Sequence, residues 1–186
     1  MLILVCNAGS TSLKYKLFNM PSPEILVEAR TERVGRTDAI FSYVNHQNGF
    51  SEKLEALSVP DYAAGIRLFL KYLLDEKSGA LQSVEQLDAI GFKTVLAKGY
   101  YSVHELTDEV LSAMEAYNEV APAHNPPYIQ AIRVFKKLLP DRLMVGCFET
   151  AFHTTIPLAR RIYALPYEWY EQYGICRLGY HGASHG

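Results

Sequence analysis

Strand, tight polar turn, strand: residues 2 to 19 permit little else. Leu2, Ile3, Leu4 and Val5 form a short continuous apolar run of the kind a buried strand carries. Asn7 through Ser12 are small or turn-forming, and Gly9 is free to take a positive φ. Leu13, Tyr15 and Leu17 then alternate with Lys14 and Lys16, the period of a half-buried strand. Such a turn gathers backbone N–H groups, three hydroxyls and a lysine at one spot. That set can hold a phosphate through charge-assisted hydrogen bonds. An ordinary hairpin with a polar turn fits the same residues. The segment is neither G-x-x-x-x-G-K-[ST] nor G-x-G-x-x-G, so the common nucleotide fingerprints do not apply.

The next segments extend the β pattern and then change period. Residues 24–34, 39–46 and 50–57 read as strands, with Asn48-Gly49 as a turn between the last two. Pro60-Asp61 opens a helix whose apolar stripe is Ile66, Phe69, Leu70 and Leu73. A buried strand follows over 88–96. Thr107-Asp108-Glu109 starts a second helix, with Val110, Leu111, Met114 and Tyr117 on one face. Asn125-Pro126-Pro127 starts a third, with Ile132, Phe135 and Leu139 apolar. A short buried strand over 143–148, a helix over 167–173 and a strand over 175–180 complete the order. Several antiparallel strands followed by alternating helix and strand predict a mixed α/β domain.

Composition removes several classes of function. The 186 residues are 49% hydrophobic and 20% charged, and the net charge is −2, so nothing points to nucleic acid. No apolar run reaches membrane-spanning length, and no signal peptide opens the chain, which predicts no membrane partner. Cys6, Cys147 and Cys176 are odd in number and widely spaced, which argues against a disulfide framework and for a reducing cytoplasm. Cys6 and Cys147 both lie in apolar strands and are expected as buried structural thiols.

Four separated segments carry a resemblance. They are Asn7-Ala8-Gly9-Ser10-Thr11-Ser12-Leu13-Lys14, Ala121-Pro122-Ala123-His124-Asn125-Pro126, residues 148–157 beginning Phe148-Glu149-Thr150, and residues 163–185 ending Gly179-Tyr180-His181-Gly182-Ala183-Ser184-His185. In that order they resemble the N-terminal part of the short-chain acid kinases, the acetate and propionate kinases. The resemblance implies an actin-like, ribonuclease-H-type α/β fold with a mixed sheet and flanking helices. It implies reversible phosphoryl transfer between ATP and a short carboxylate, with Mg²⁺, in a homodimer. It also implies two domains: residues 1–150 as the N-terminal actin-like domain, and 151–186 as the truncated start of a second.

The same resemblance assigns roles to residues. Asn7 falls in the metal region, and Ser10, Ser12 and Lys14 in the phosphate or nucleotide region. His124 and His181 match histidines that stabilise the transferring phosphoryl group. Val95 matches a residue of the apolar pocket for the acid's alkyl end. Two departures from the family pattern matter: a changed segment over 91–98, where both of the family's histidines are replaced by Phe92 and Leu96, and a changed acid at 149. Where the family reads Gly-His-Arg-Val-Val-His-Gly-Gly, this chain reads Gly91-Phe92-Lys93-Thr94-Val95-Leu96-Ala97-Lys98. Lys93 thus stands for the carboxylate-binding arginine, keeping the charge and losing the planar fork. Glu149 stands where the family has aspartate, and its extra methylene moves the carboxylate by roughly 1 Å.

Elementary chemistry supports these assignments without the family. Phosphoryl transfer needs positioned positive charge around the equatorial oxygens, which Lys14, Lys93, His124 and His181 could supply, and a carboxylate such as Glu149 to orient Mg²⁺. Judged alone, each has a plain structural reading. Lys14 reads as an exposed strand lysine, His124 as a helix cap, Glu149 as a cap on the next segment, and His153 as structural. His181 and His185 lack the H-E-x-x-H pattern of a zinc site. Three functions stay open: an acid kinase seen as its N-terminal part, a non-catalytic binding or dimerisation module of the same fold, and another actin-like ATPase or sugar kinase.

Overall fold

The computed structural model describes residues 1–185. β1 (Leu2–Gly9) and β2 (Ser12–Asn19) form the expected hairpin, with Gly9 opposite Ser12 and only Ser10 and Thr11 in the turn. β3 (Glu24–Glu32), β4 (Arg36–Asn45) and β5 (Ser51–Val59) continue it as an antiparallel meander. β6 (Ala89–Thr94) and β8 (Leu143–Phe148) add in parallel on the other side of β1, and β7 (Val103–Glu105) closes the edge. The result is one eight-stranded mixed sheet in the order β5-β4-β3-β2-β1-β6-β8-β7.

Helices cover one face of this sheet. α1 (Tyr62–Leu74) begins at Asp61, whose carboxylate accepts from the Ala64 N–H at 2.7 Å, a side-chain cap on a helix otherwise without an acidic first turn. α2 (Asp108–Glu115) is capped by Thr107 in the same way. α3 (Asn125–Leu138) carries prolines in its first turn, where their missing N–H is not needed. Strand alternation then sends Leu4, Cys6, Leu13, Tyr15, Leu17, Ile90, Phe92 and Met144 toward the helices, where Ile66, Phe69, Leu73, Ile132 and Phe135 meet them. Tyr15 stacks on Phe69 at 4.0 Å between ring centroids, and Phe135 meets Phe92 edge-on at 5.5 Å. Among the described residues no helix is long and apolar enough to cross a membrane.

Three expectations are corrected. Residues 175–180 form no strand. The free edge of β8 that such a strand would need is already taken by β7, a three-residue strand too short to announce itself in sequence. Gly9 does not take a positive φ; its value lies in space, because a Cβ there would sit 2.9 Å from Ser12 Oγ. Cys147 is exposed, unlike the buried Cys6. In β8 the alternation points Met144, Gly146 and Phe148 at the helices and Cys147 at the uncovered face.

The tail is built differently from the sheet. A 3₁₀ helix (Glu149–Thr155), α4 (Leu158–Arg161), α5 (Tyr167–Tyr173) and α6 (Gly182–His185) follow β8, and Leu178 packs against the core from this tail. Phe152, Ile156, Leu158, Tyr163, Leu165, Tyr167, Trp169, Tyr173, Ile175 and Tyr180 are all exposed.

Candidate active site

Parallel pairing of β1, β6 and β8 brings their carboxyl ends to one rim of the sheet. Sites in open α/β sheets form outside such ends. Asn7 and Lys93 each follow the paired residues Cys6 and Phe92 by one position, so both leave their strands on the helix-free face. Glu149 stands immediately after β8. Its Oε1 lies 3.0 Å from Lys93 Nζ. Lys93 and Glu149, each a departure from the family pattern, are therefore partners in one ion pair.

That pair sits in an open cavity of about 660 Å³. Its walls are largely apolar and include Val5, Val103, Cys147, Phe148 and Phe152. Cys147 is the register partner of Lys93, and partial burial pushes its thiol above the ordinary range. Gly182 also lines the cavity, and its Cα lies so close to the Glu149 carbonyl and the Phe152 side chain that a Cβ there would collide with both. His181, exposed and in a left-handed conformation at φ 60°, is thereby held beside Glu149. His153 fastens the same loop: its Nε2 lies 2.8 Å from the Tyr180 carbonyl, and its ring fills the space a side chain on Gly179 would need.

The turn of the β1–β2 hairpin is tied to α1 by a tyrosine. The Tyr62 hydroxyl on α1 is shared between the carbonyls of Gly9 at 2.5 Å and Ser10 at 2.9 Å, which pins the turn. Burial and, to a smaller degree, Tyr128 raise the Tyr62 phenol above its ordinary range; burial and then the Glu149 carboxylate do the same to Tyr128. His124 stacks on Tyr128 with its ring centroid at 6.3 Å. Although His124 occupies the cap position of α3, its side chain makes no cap hydrogen bond. The cap reading fails for it, and the imidazole stays exposed at the rim.

Other assigned residues lie further off. Asn7 and Lys14 are opposite each other in the hairpin and line a neighbouring groove of about 470 Å³ that meets the cavity at Val5. Ser10 is exposed at the turn and Ser12 is half-buried. Val95 is buried and does not line the cavity. Asn125 is a structural clamp: its buried Nδ2 donates to the Leu96 carbonyl at 3.0 Å and the Met114 carbonyl at 2.8 Å, tying the end of β6 to α2 and α3. Sequence reasoning missed Tyr62, Tyr128 and Cys147. For Cys147 the strand period was the available signal; nothing in the sequence marked the tyrosines.

No group of three or more His, Cys, Asp or Glu able to hold a metal gathers among the described residues. The rim offers one enclosed carboxylate, Glu149, with the amide oxygen of Asn7 further along. Such a set fits Mg²⁺, which is commonly held by one or two carboxylates together with water and substrate phosphates.

Comparison with known proteins agrees with this architecture. The model of the acetokinase family matches residues 2–186. The acetate kinase of Halothermothrix orenii is 41% identical over 186 residues, and that of Bacteroides fragilis 39%. Each alignment covers the whole of this chain and 46% of the relative, so the chain spans under half the length of these curated proteins. Among solved structures, the acetate kinase of Porphyromonas gingivalis superposes with a TM-score of 0.87 at 35% identity, covering 99% of this chain and 46% of that one. A propionate kinase from Francisella tularensis gives 0.84 at 29% identity, covering 99% and 46%. The fold is the actin-like α/β fold of these enzymes, and the chain belongs to the acetokinase family.

Proposed function

We propose that this chain is the phosphoryl-handling part of a short-chain acid kinase, which moves a phosphoryl group reversibly between ATP and a carboxylate such as acetate or propionate. The observation that carries this reading is the meeting of Lys93, Glu149 and the His181 loop at one rim of the parallel strands. Lys93 neutralises the acid's carboxylate or an oxygen of the transferring group. His124 and His181 donate N–H groups to the equatorial oxygens, where charge develops. Asn7, Ser10, Ser12 and Lys14 hold the nucleotide's phosphates at the hairpin. Glu149 and Asn7 would hold Mg²⁺, which when bound neutralises phosphate charge. Val95 shapes the alkyl end from behind the rim.

Residues 1–150 form the first domain in this reading and 151–186 open a second. The ten exposed apolar side chains between Phe152 and Tyr180 support that division, because they lack a core of their own. The enzyme works in the cytoplasm as a homodimer, without nucleic acid or membrane. Three cysteines free of disulfides accord with a reducing compartment.

The test is to fuse this chain to the remainder of the Halothermothrix orenii acetate kinase and to measure ATP formation from ADP, Mg²⁺ and acetyl or propionyl phosphate. Turnover by the fusion is expected, with at most a trace from the 186-residue chain alone. A folded fusion without turnover on either acyl phosphate would favour a non-catalytic module of the same fold.

A further inference from the structure

Lys93 and Glu149 neutralise each other, and this sets a condition on any anion that binds between them. The Glu149 side chain is 9% exposed and that of Lys93 39%. Among the described residues, Lys93 is the only cation at ion-pair distance from that carboxylate. A carboxylate so enclosed, beside Phe148 and Phe152, is costly to leave without a partner. An incoming carboxylate or phosphoryl oxygen competes with Glu149 for the same ammonium. Where the anion wins, Glu149 is left enclosed, charged and unpaired. A second cation on Glu149 removes that obstacle.

Resting on the acid-kinase reading of this cavity, we infer that the Lys93–Glu149 pair is a latch coupling two ligands. A divalent cation taken by Glu149 frees the Lys93 ammonium for the substrate anion, so that each ligand tightens the other. The reciprocity is thermodynamic: whatever factor the cation adds to anion affinity, the anion adds to cation affinity. The donor set suits the role. One carboxylate without a supporting cluster holds Mg²⁺ weakly by itself, and the metal is retained when the anion has drawn Lys93 away. The latch also gives Lys93 and Glu149 a joint purpose as departures from the family pattern. The longer carboxylate of Glu149 spans the distance to a lysine ammonium, whose single compact charge cannot neutralise both Glu149 and an incoming anion.

The experiment is an NMR titration of the fusion with the Halothermothrix orenii remainder with ¹³C-acetate, without metal and with saturating Mg²⁺, on the parent fusion (the wild type below), Glu149→Gln and Lys93→Gln. Mg²⁺ is expected to tighten acetate roughly tenfold or more in the wild type, within the usual range of coupling between sites. Glu149→Gln should bind acetate well without metal and respond to Mg²⁺ by less than about twofold. Lys93→Gln should bind acetate poorly under both conditions. Wild-type acetate affinity that ignores Mg²⁺ overturns the latch and leaves the acid site standing. Absence of saturable acetate binding by the wild type under both conditions overturns the latch and the acid-site reading together. Should a variant fail to fold, the wild-type comparison decides alone.

Discussion

Replacing Lys93 by alanine strands Glu149 in its enclosed position. Breaking a buried pair costs about 3–5 kcal/mol, and the part-exposed ammonium reduces this to about 1–2 kcal/mol here. Urea unfolding of Lys93→Ala, Glu149→Gln and the double variant should show the lysine's cost disappearing once the carboxylate is neutral. Equal cost in both backgrounds would mean the two do not interact. Cys147 supplies a second residue-level expectation. Native-state maleimide labelling should modify Cys147 and spare Cys6, which is fully buried. Because desolvation raises the Cys147 thiol above its ordinary value, it holds less thiolate than a free cysteine at neutral pH. Its labelling rate should still be climbing at pH values where a free thiol, with a pKa of about 8.5, has levelled off. A rate that plateaus with that of free cysteine would contradict the burial argument.

At the scale of elements, the sheet's stability rests on the stack between β2 and α1. Phe69→Ala should cost about 3–5 kcal/mol in denaturant unfolding, since it empties the position against Tyr15. The loop carrying His181 is a separate matter. Gly182→Ala cannot keep its contact with the Glu149 carbonyl, so amide-resolved NMR should show shifts confined to about residues 149–185, with the sheet unchanged. Shifts spread through β1 to β5 would show that the loop is part of the core. These elements were unequally legible in sequence. The hairpin, the meander and the three principal helices follow from period and caps, because each is stabilised by its own neighbours. β7 was invisible because three residues carry no period, and its pairing with β8 is decided by the sheet edge. Residues 175–180 read as a strand because apolar alternation was present while a free edge was not.

The site shows the same division at the scale of the whole molecule. Lys93, His124, Glu149 and His181 were singled out as candidates by comparison with the family's pattern. The meeting of Lys93, Glu149 and the His181 turn was not legible, because it depends on the parallel order β1-β6-β8 and on a glycine pressed against a distant carbonyl. Neither is encoded in local spacing. The exposed aromatic and aliphatic side chains from Phe152 to Tyr180 carry a further expectation. Large exposed apolar patches promote association. The 186-residue chain should bind the dye ANS and sediment as larger species as concentration rises, and joining it to the remainder of a relative should suppress both. A strictly monomeric, dye-silent chain would mean that this tail needs no covering.

The proposed function makes Lys93 the cation that meets the reacting group. In the fusion with the Halothermothrix orenii remainder, kcat/KM for acetyl phosphate should fall roughly a hundredfold or more on Lys93→Ala, the usual consequence of removing one positioned electrostatic contact. A Lys93→Ala fusion that forms ATP within about threefold of the parent rate would place the chemistry elsewhere and contradict the assignment.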